Sequence, residues 1–212
     1  MSNKTKVHTR YQSATGERVP SVTTVLGILN KPALIHWAWQ CGVKGEDYRK
    51  VRDEAADIGT LAHYLIMCHL TRQEPDTSEY SAENIDKAEN ALLSYYEWEK
   101  NHPIEPVLIE QALISEVYGF GGTIDCLAKL NSETILIDHK TGKALYPEMF
   151  YQLAAYRQLL LENGYRVGHA RILRVGRDES EGFEEQVVTE FGKPWDIFHH
   201  CLRIYNLQKK GA

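Results

Sequence analysis

The hydrophobic positions along the chain change their period near Pro103. Before it, apolar residues recur at helical spacing. Ile58, Leu61, Ala62, Leu65, Ile66 and His69 follow the i, i+3, i+4 pattern of one helix face. "PALIHWAWQCGVKGEDYRKVRDEAADIGTLAHYLIMCHL" is therefore helix-rich. "SAENIDKAENALLSYYEWEKN" predicts a further helix, capped by Ser81 and stopped before Pro103. Upstream, "VPSVTTVLGIL" suits a short helix with Ser21 or Thr23 as its cap. After Pro103 the apolar runs shorten and become β-branched. "PVLIEQALIS", "FGGTIDCLAKL" and "TILIDHK" read as strands. "PEMFYQLAAYRQLLLENG" returns to helical spacing, with Pro147 at its start and Gly164 at its C-cap position. "HARILRVG" and "EEQVVTEF" predict one or two more strands, and "PWDIFHHCLRIYNLQKK" a closing amphipathic helix. This order describes one mixed α/β (α+β) domain over residues 1–212, not a doubly wound parallel one. About residues 1–103 form its helical part and about 104–212 its mixed-sheet core.

One hairpin within that core carries unusual chemistry. In "GFGGTIDCLAKLNSETILIDHKTGK", Asn131-Ser132 separates two apolar runs and suits a tight turn. A two-residue loop pairs Leu130 with Glu133 and puts Asp125 opposite Asp138; a four-residue loop puts Asp125 opposite Lys140. Side chains alternate along a strand, so either even loop gathers Asp125, Asp138 and Lys140 on one face. An odd loop without a bulge would separate them. Carboxylates set side by side repel unless a positive charge lies between them. A hard divalent cation such as Mg²⁺ answers that need. Lys140 adds a point charge suited to a phosphate oxygen or a metal-bound water. His139 faces the other way, although its carbonyl can still reach a metal. The plain alternative is that Asp138 and Lys140 are the polar end of a buried strand.

Composition narrows the field only slightly. The chain has 212 residues, 25% charged and 43% hydrophobic, enough for one ordinary core. A net charge of −5 neither suggests nor excludes a nucleic-acid partner, because metal-holding carboxylates lower the sum. The polar, basic Met1–Gln12 segment is unlike a signal peptide, and no run suits a membrane span. Cys41, Cys68, Cys126 and Cys201 lie far apart and predict reduced core thiols in a cytoplasmic protein.

Several pieces in order carry a resemblance. "GFGGTID", "LIDHKTGK" and "YQLAAY", preceded by "PSVTTVL" and "IGTLAH", resemble the PD-(D/E)xK nuclease superfamily, most of all its RecB-like and phage-type exonuclease branch. The resemblance runs from about Pro20 to Tyr156. It implies a restriction-endonuclease-like core behind an N-terminal helical region. It implies Asp125 as the first metal-binding aspartate, Asp138 as the acid of the (D/E)-x-K signature, the His139 carbonyl as a further ligand and Lys140 as the catalytic lysine. His63 matches a metal-holding histidine and Glu110 an upstream glutamate near the site. Gln152 and Tyr156 match a Q-x-x-x-Y helix motif beside the site, and their spacing puts them on one helix face.

The implied activity is a Mg²⁺- or Mn²⁺-dependent DNA exonuclease of phage or bacterial recombination and repair. A homo-oligomer or a recombination partner protein is left open. The rival reading is a catalytically silent module of the same fold that holds nucleic acid or a partner. Some relatives carry an iron–sulfur cluster on four cysteines; only Cys201 lies near this C-terminus, so none is expected. No Walker motif occurs. The histidine of "DHK" stands where a large apolar residue is frequent, a departure the sequence leaves unexplained. His199, His200 and Cys201 lack the spacing of a zinc site. Trp37 and Trp39, followed by Lys44, Tyr48, Arg49, Lys50 and Arg52, are read either as helix core and solvated face or as a strand-binding patch.

Overall fold

The computed structural model describes residues 9–210. Of the polar Met1–Gln12 segment, residues 1–8 lie outside the described part. Two very short strands, β1 (Tyr11–Gln12) and β2 (Arg18–Val19), pair with each other. Helices α1 (Val22–Leu26), α2 (Pro32–Val43), α3 (Tyr48–Thr71) and α4 (Ala82–Asn101) follow. Then come β3 (Glu105–Ser115), β4 (Phe120–Leu130), β5 (Glu133–Thr141), α5 (Pro147–Glu162), β6 (His169–Val175), β7 (Phe183–Val188) and α6 (Gly192–Lys210).

Local chemistry sets the boundaries. Ser21, not Thr23, caps α1: its Oγ accepts from the Thr24 amide at 3.0 Å. Asp47 and Ser81 cap α3 and α4 in the same way, each consuming an amide that the first turn leaves unpaired. At the end of α5, Asn163 is the cap and Gly164 follows it in the left-handed region, where the Tyr165 amide returns to the Leu160 carbonyl at 2.8 Å.

The main sheet has the order β3-β4-β5-β6-β7. All neighbours are antiparallel except β5 and β6, which α5 connects in parallel. This is the mixed α/β class expected, with helices on both faces. Leu136, Ile172 and Leu127 point toward α1, α5 and α6. Ile135, Ile137, Cys126, Ala128 and Leu173 point toward α3 and α4. The helical N-terminal part thus shares its core with the sheet. All four cysteines are buried and unpaired. Among the described residues, no helix is long and apolar enough to cross a membrane.

Candidate active site

The β4–β5 turn is the two-residue form. Leu130 pairs with Glu133, and Asn131 and Ser132 both take positive φ, 49° and 71°. The ladder runs to Cys126–Ile137, and continuing its register brings Asp125 opposite Asp138. The sheet then breaks its own rule. Phe120 and Ile124 belong to the α5 face, whereas Cys126, Ala128 and Leu130 belong to the α3–α4 face. Strict alternation would put all of them together, so the phase slips at Asp125. On the neighbouring strand, Glu110 carries φ 46° and drops out of the ladder between Ile109–Cys126 and Gln111–Ile124. The register is the same on both sides, so Glu110 stays opposite Asp125 and its left-handed backbone brings the two acids to one place.

The consequence is a cluster drawn from both faces. The nearest ligand atoms of His63, Glu110 and Asp125 lie within 4.8 Å of one another. Asp125 Oδ2 accepts the His139 amide at 2.8 Å and lies 3.5 Å from His63 Nδ1 and 3.7 Å from His139 Nδ1. Asp138 stands at the edge of this trio. Its residue is 1% exposed, and neither oxygen accepts a well-directed hydrogen bond. Its partner is the Lys140 ammonium, with Nζ 2.7 Å from Oδ2. The expected arrangement of Asp125 and Asp138 side by side on one face is thereby modified: Asp125 leans toward α3, and Asp138 is held by Lys140.

The environment sorts the ionisation states. Burial pushes Asp138 up to about 6, with Lys140 pulling it down and Asp125 adding to the rise. Burial would raise Asp125 too, but His63, the His139 amide and Lys140 outweigh it and hold it below the usual range. Glu110 is open to solvent on one side, yet crowding by protein atoms and the charges of Asp125 and Asp138 lift it to about 8. Burial lowers His63, which keeps its imidazole neutral and fit to be a ligand.

Glycines let the elements close in. A Cβ on Gly59 of α3 would lie 2.7 Å from Thr141 Oγ1, next to Lys140. A Cβ on Gly122 of β4 would lie 2.6 Å from the Tyr156 ring. Tyr156 is buried and receives a 2.7 Å hydrogen bond from Gln152 Nε2, so the Q-x-x-x-Y pair meets on the inner face of α5. The histidine of "DHK" also finds its reason. The His139 ring is buried edge-on between Tyr95 and His63, with centroids 5.4 Å and 5.8 Å away.

Tyr95 and Arg174 escaped the sequence reading. Arg174 faces Lys140 in the β5–β6 register and is 7% exposed. It donates to the carbonyls of Gly142 (3.1 Å) and Glu181 (2.7 Å) and to Glu184 (2.9 Å), fixing the loop after Lys140. A charged residue inside the apolar "HARILRVG" was its one visible signal. Tyr95 gave none beyond its helix face. Elsewhere, a cavity of about 660 Å³ between α3, α4 and β3 is lined by His69, Tyr96 and Glu99. His69 and Glu99 satisfy each other there at 2.7 Å.

The donors fit a hard divalent cation: two carboxylates and a neutral imidazole converge, beside a buried carboxylate whose oxygens lack amide or hydroxyl donors. Two solved structures show distant likeness. The crystal structure of SSO0001 is 15% identical over 53% of this chain and 54% of that one, with a TM-score of 0.38. This chain therefore spans about half the length of SSO0001. The crystal structure of LHK-Exo in complex with dAMP is 13% identical over 74% of this chain and 86% of that one, with a TM-score of 0.43. No curated protein matches. Residues 34–205, by contrast, match the family model that spans the hairpin, the carboxylate cluster and the Gln152–Tyr156 helix. The chain belongs to the PD-(D/E)XK nuclease superfamily.

Proposed function

We propose that this nuclease hydrolyses phosphodiester bonds of DNA with Mg²⁺ or Mn²⁺, working from ends as an exonuclease of recombination or repair. The observation that carries the reading is the convergence of Asp125, Glu110 and His63 beside the Asp138–Lys140 pair. Asp125, Glu110 and His63 would hold the metal, with Asp138 and the His139 carbonyl completing its shell. A cation bound there supplies an acidic water and positive charge for the phosphate oxygens. Lys140, its ammonium beside Asp138, would stabilise negative charge that builds on the phosphate in the transition state. Asp138 holds Lys140 in place. Tyr156, close enough to feel the charges of Asp138 and Asp125, and its partner Gln152 would position the scissile strand. The exonuclease mode follows the sequence resemblance of "GFGGTID", "LIDHKTGK" and "YQLAAY". A cytoplasmic place of action agrees with four buried, unpaired thiols.

The deciding experiment digests end-labelled linear single- and double-stranded DNA beside a closed circle, with Mg²⁺, Mn²⁺ or EDTA. Metal-dependent loss of linear DNA that spares circles is expected, and it vanishes in Lys140→Ala. Cutting of circles would replace the exonuclease mode with an endonuclease. Tight DNA binding without cleavage in either metal would favour the silent binding module.

A further inference from the structure

The α2–α3 hairpin turns apolar side chains to solvent. Ile35, Trp39 and Val43 sit at i, i+4 and i+8 on one stripe of α2, with relative exposures of 68%, 63% and 67%. An exposed apolar row of this kind marks a binding surface.

The hairpin is also tied to the two helices that carry Gln152 and His63. At one end Lys31, the N-cap of α2, pairs at 3.1 Å with Glu148 in the first turn of α5, one turn before Gln152. At the other, the Trp37 ring meets Tyr48 edge-on at the start of α3, centroids 6.4 Å apart. From Tyr48 to the site residue His63, α3 advances roughly 22 Å at about 1.5 Å per residue. Most side chains before Ile58 are exposed, so this part of α3 projects past the sheet.

Its uncommitted charge is mainly positive. Lys44, Arg49 and Lys50 form no ion pair among the described residues, and Arg49 lies over the Tyr48 ring. Most acids nearby are committed, and the exposed Glu46 is the exception. Asp47 caps α3 at the Arg49 amide (3.0 Å), Asp53 pairs with Arg52 (2.7 Å) and Glu54 with Lys87 (3.4 Å). Aromatic and apolar groups beside unpaired cations complement a polyanion with accessible base faces. That is a single strand; a duplex keeps its bases stacked inside.

We propose that α2 and the start of α3 dock single-stranded DNA, with bases against Trp39 and Ile35 and phosphates against Lys44, Arg49 and Lys50. The strand end is led from there to the carboxylate cluster. This rests on the nuclease reading above and names the substrate form that the site takes.

The test measures binding of a labelled oligothymidylate and of a blunt duplex in EDTA, for wild type, Trp39→Ala and Lys50→Ala. In Trp39→Ala, oligothymidylate binding weakens about tenfold, duplex binding is unchanged and the salt slope is kept. In Lys50→Ala, the salt slope falls by roughly one phosphate contact. A second arm follows hydrolysis of the p-nitrophenyl ester of thymidine 5′-phosphate, too short to reach α2. Trp39→Ala keeps wild-type turnover of this ester while losing turnover of long strands. Equal oligothymidylate binding by wild type and Trp39→Ala overturns the proposal. A concentration-dependent dimer that Trp39→Ala dissolves, with oligothymidylate binding intact, also overturns it, in favour of a second copy of the chain. If wild type cleaves neither DNA nor the ester, but binding still depends on Trp39, the nuclease reading fails and the docking surface stands.

Discussion

Lys140 reaches back along its own strand to Asp138, and both are largely withdrawn from water. Truncating it leaves a buried carboxylate without its cation and the phosphate without a stabilising charge. Lys140→Ala is expected to lower cleavage by at least about 100-fold. Steady-state digestion of labelled DNA, with far-ultraviolet circular dichroism to verify folding, measures this. An active Lys140→Ala would remove the lysine from the proposed chemistry. The pairing register of the hairpin was legible in the sequence because a tight turn fixes which residues stand opposite one another. His63 was legible only through resemblance, since one histidine in an apolar helical stripe looks like core. Tyr95 was illegible: its role is to wall the His139 ring, and that is a tertiary contact between elements far apart in the chain.

Among the elements, the β4–β5 turn offers the sharpest test. Ser132 sits at φ 71°, where an L side chain crowds the backbone and glycine does not. Ser132→Gly is expected to stabilise the fold by about 0.5–1 kcal/mol without touching cleavage. Denaturant midpoints of the two proteins decide it, and a loss of stability would contradict the turn geometry. Helix ends were readable because Ser21, Ser81, Pro147 and Gly164 announce them chemically. The β1–β2 pair was not, for two-residue strands are too short to show a period. Nor was the slip at Asp125, because a pattern argument assumes the alternation that the bend at Glu110 interrupts.

At the scale of the whole molecule, the acid cluster sets how stability follows pH. Asp138 and Glu110 sit at about 6 and about 8, above their unfolded values of 3.8 and 4.5. The folded chain therefore holds protons that the unfolded chain has released, and stability declines as pH rises through that interval. Asp125, held low, acts oppositely and only toward the acid end. His63, lowered by burial, opposes this below about pH 6.5, so in chelator Tm is expected to fall between about pH 6.5 and 8. Adding Mn²⁺ raises Tm, and raises it most at the alkaline end, where the ligands are deprotonated. Differential scanning fluorimetry across this range suffices. A chelated profile that climbs with pH would mean that these carboxylates are not held as described.

Glu110 has one more consequence. Its backbone is left-handed, a posture that costs a non-glycine residue roughly 1–3 kcal/mol. The chain keeps a glutamate there, where glycine would rest easily. Glu110→Gly should surrender the carboxylate and the strain together. The expected product outlasts its parent on heating and leaves its substrate uncut. Such a variant would be a decoy: it occupies DNA ends without consuming them, and so lets a bound strand be captured intact for crystallography. Loss of heat resistance in Glu110→Gly would show that the bend at this strand is held for packing and not for the acid it presents.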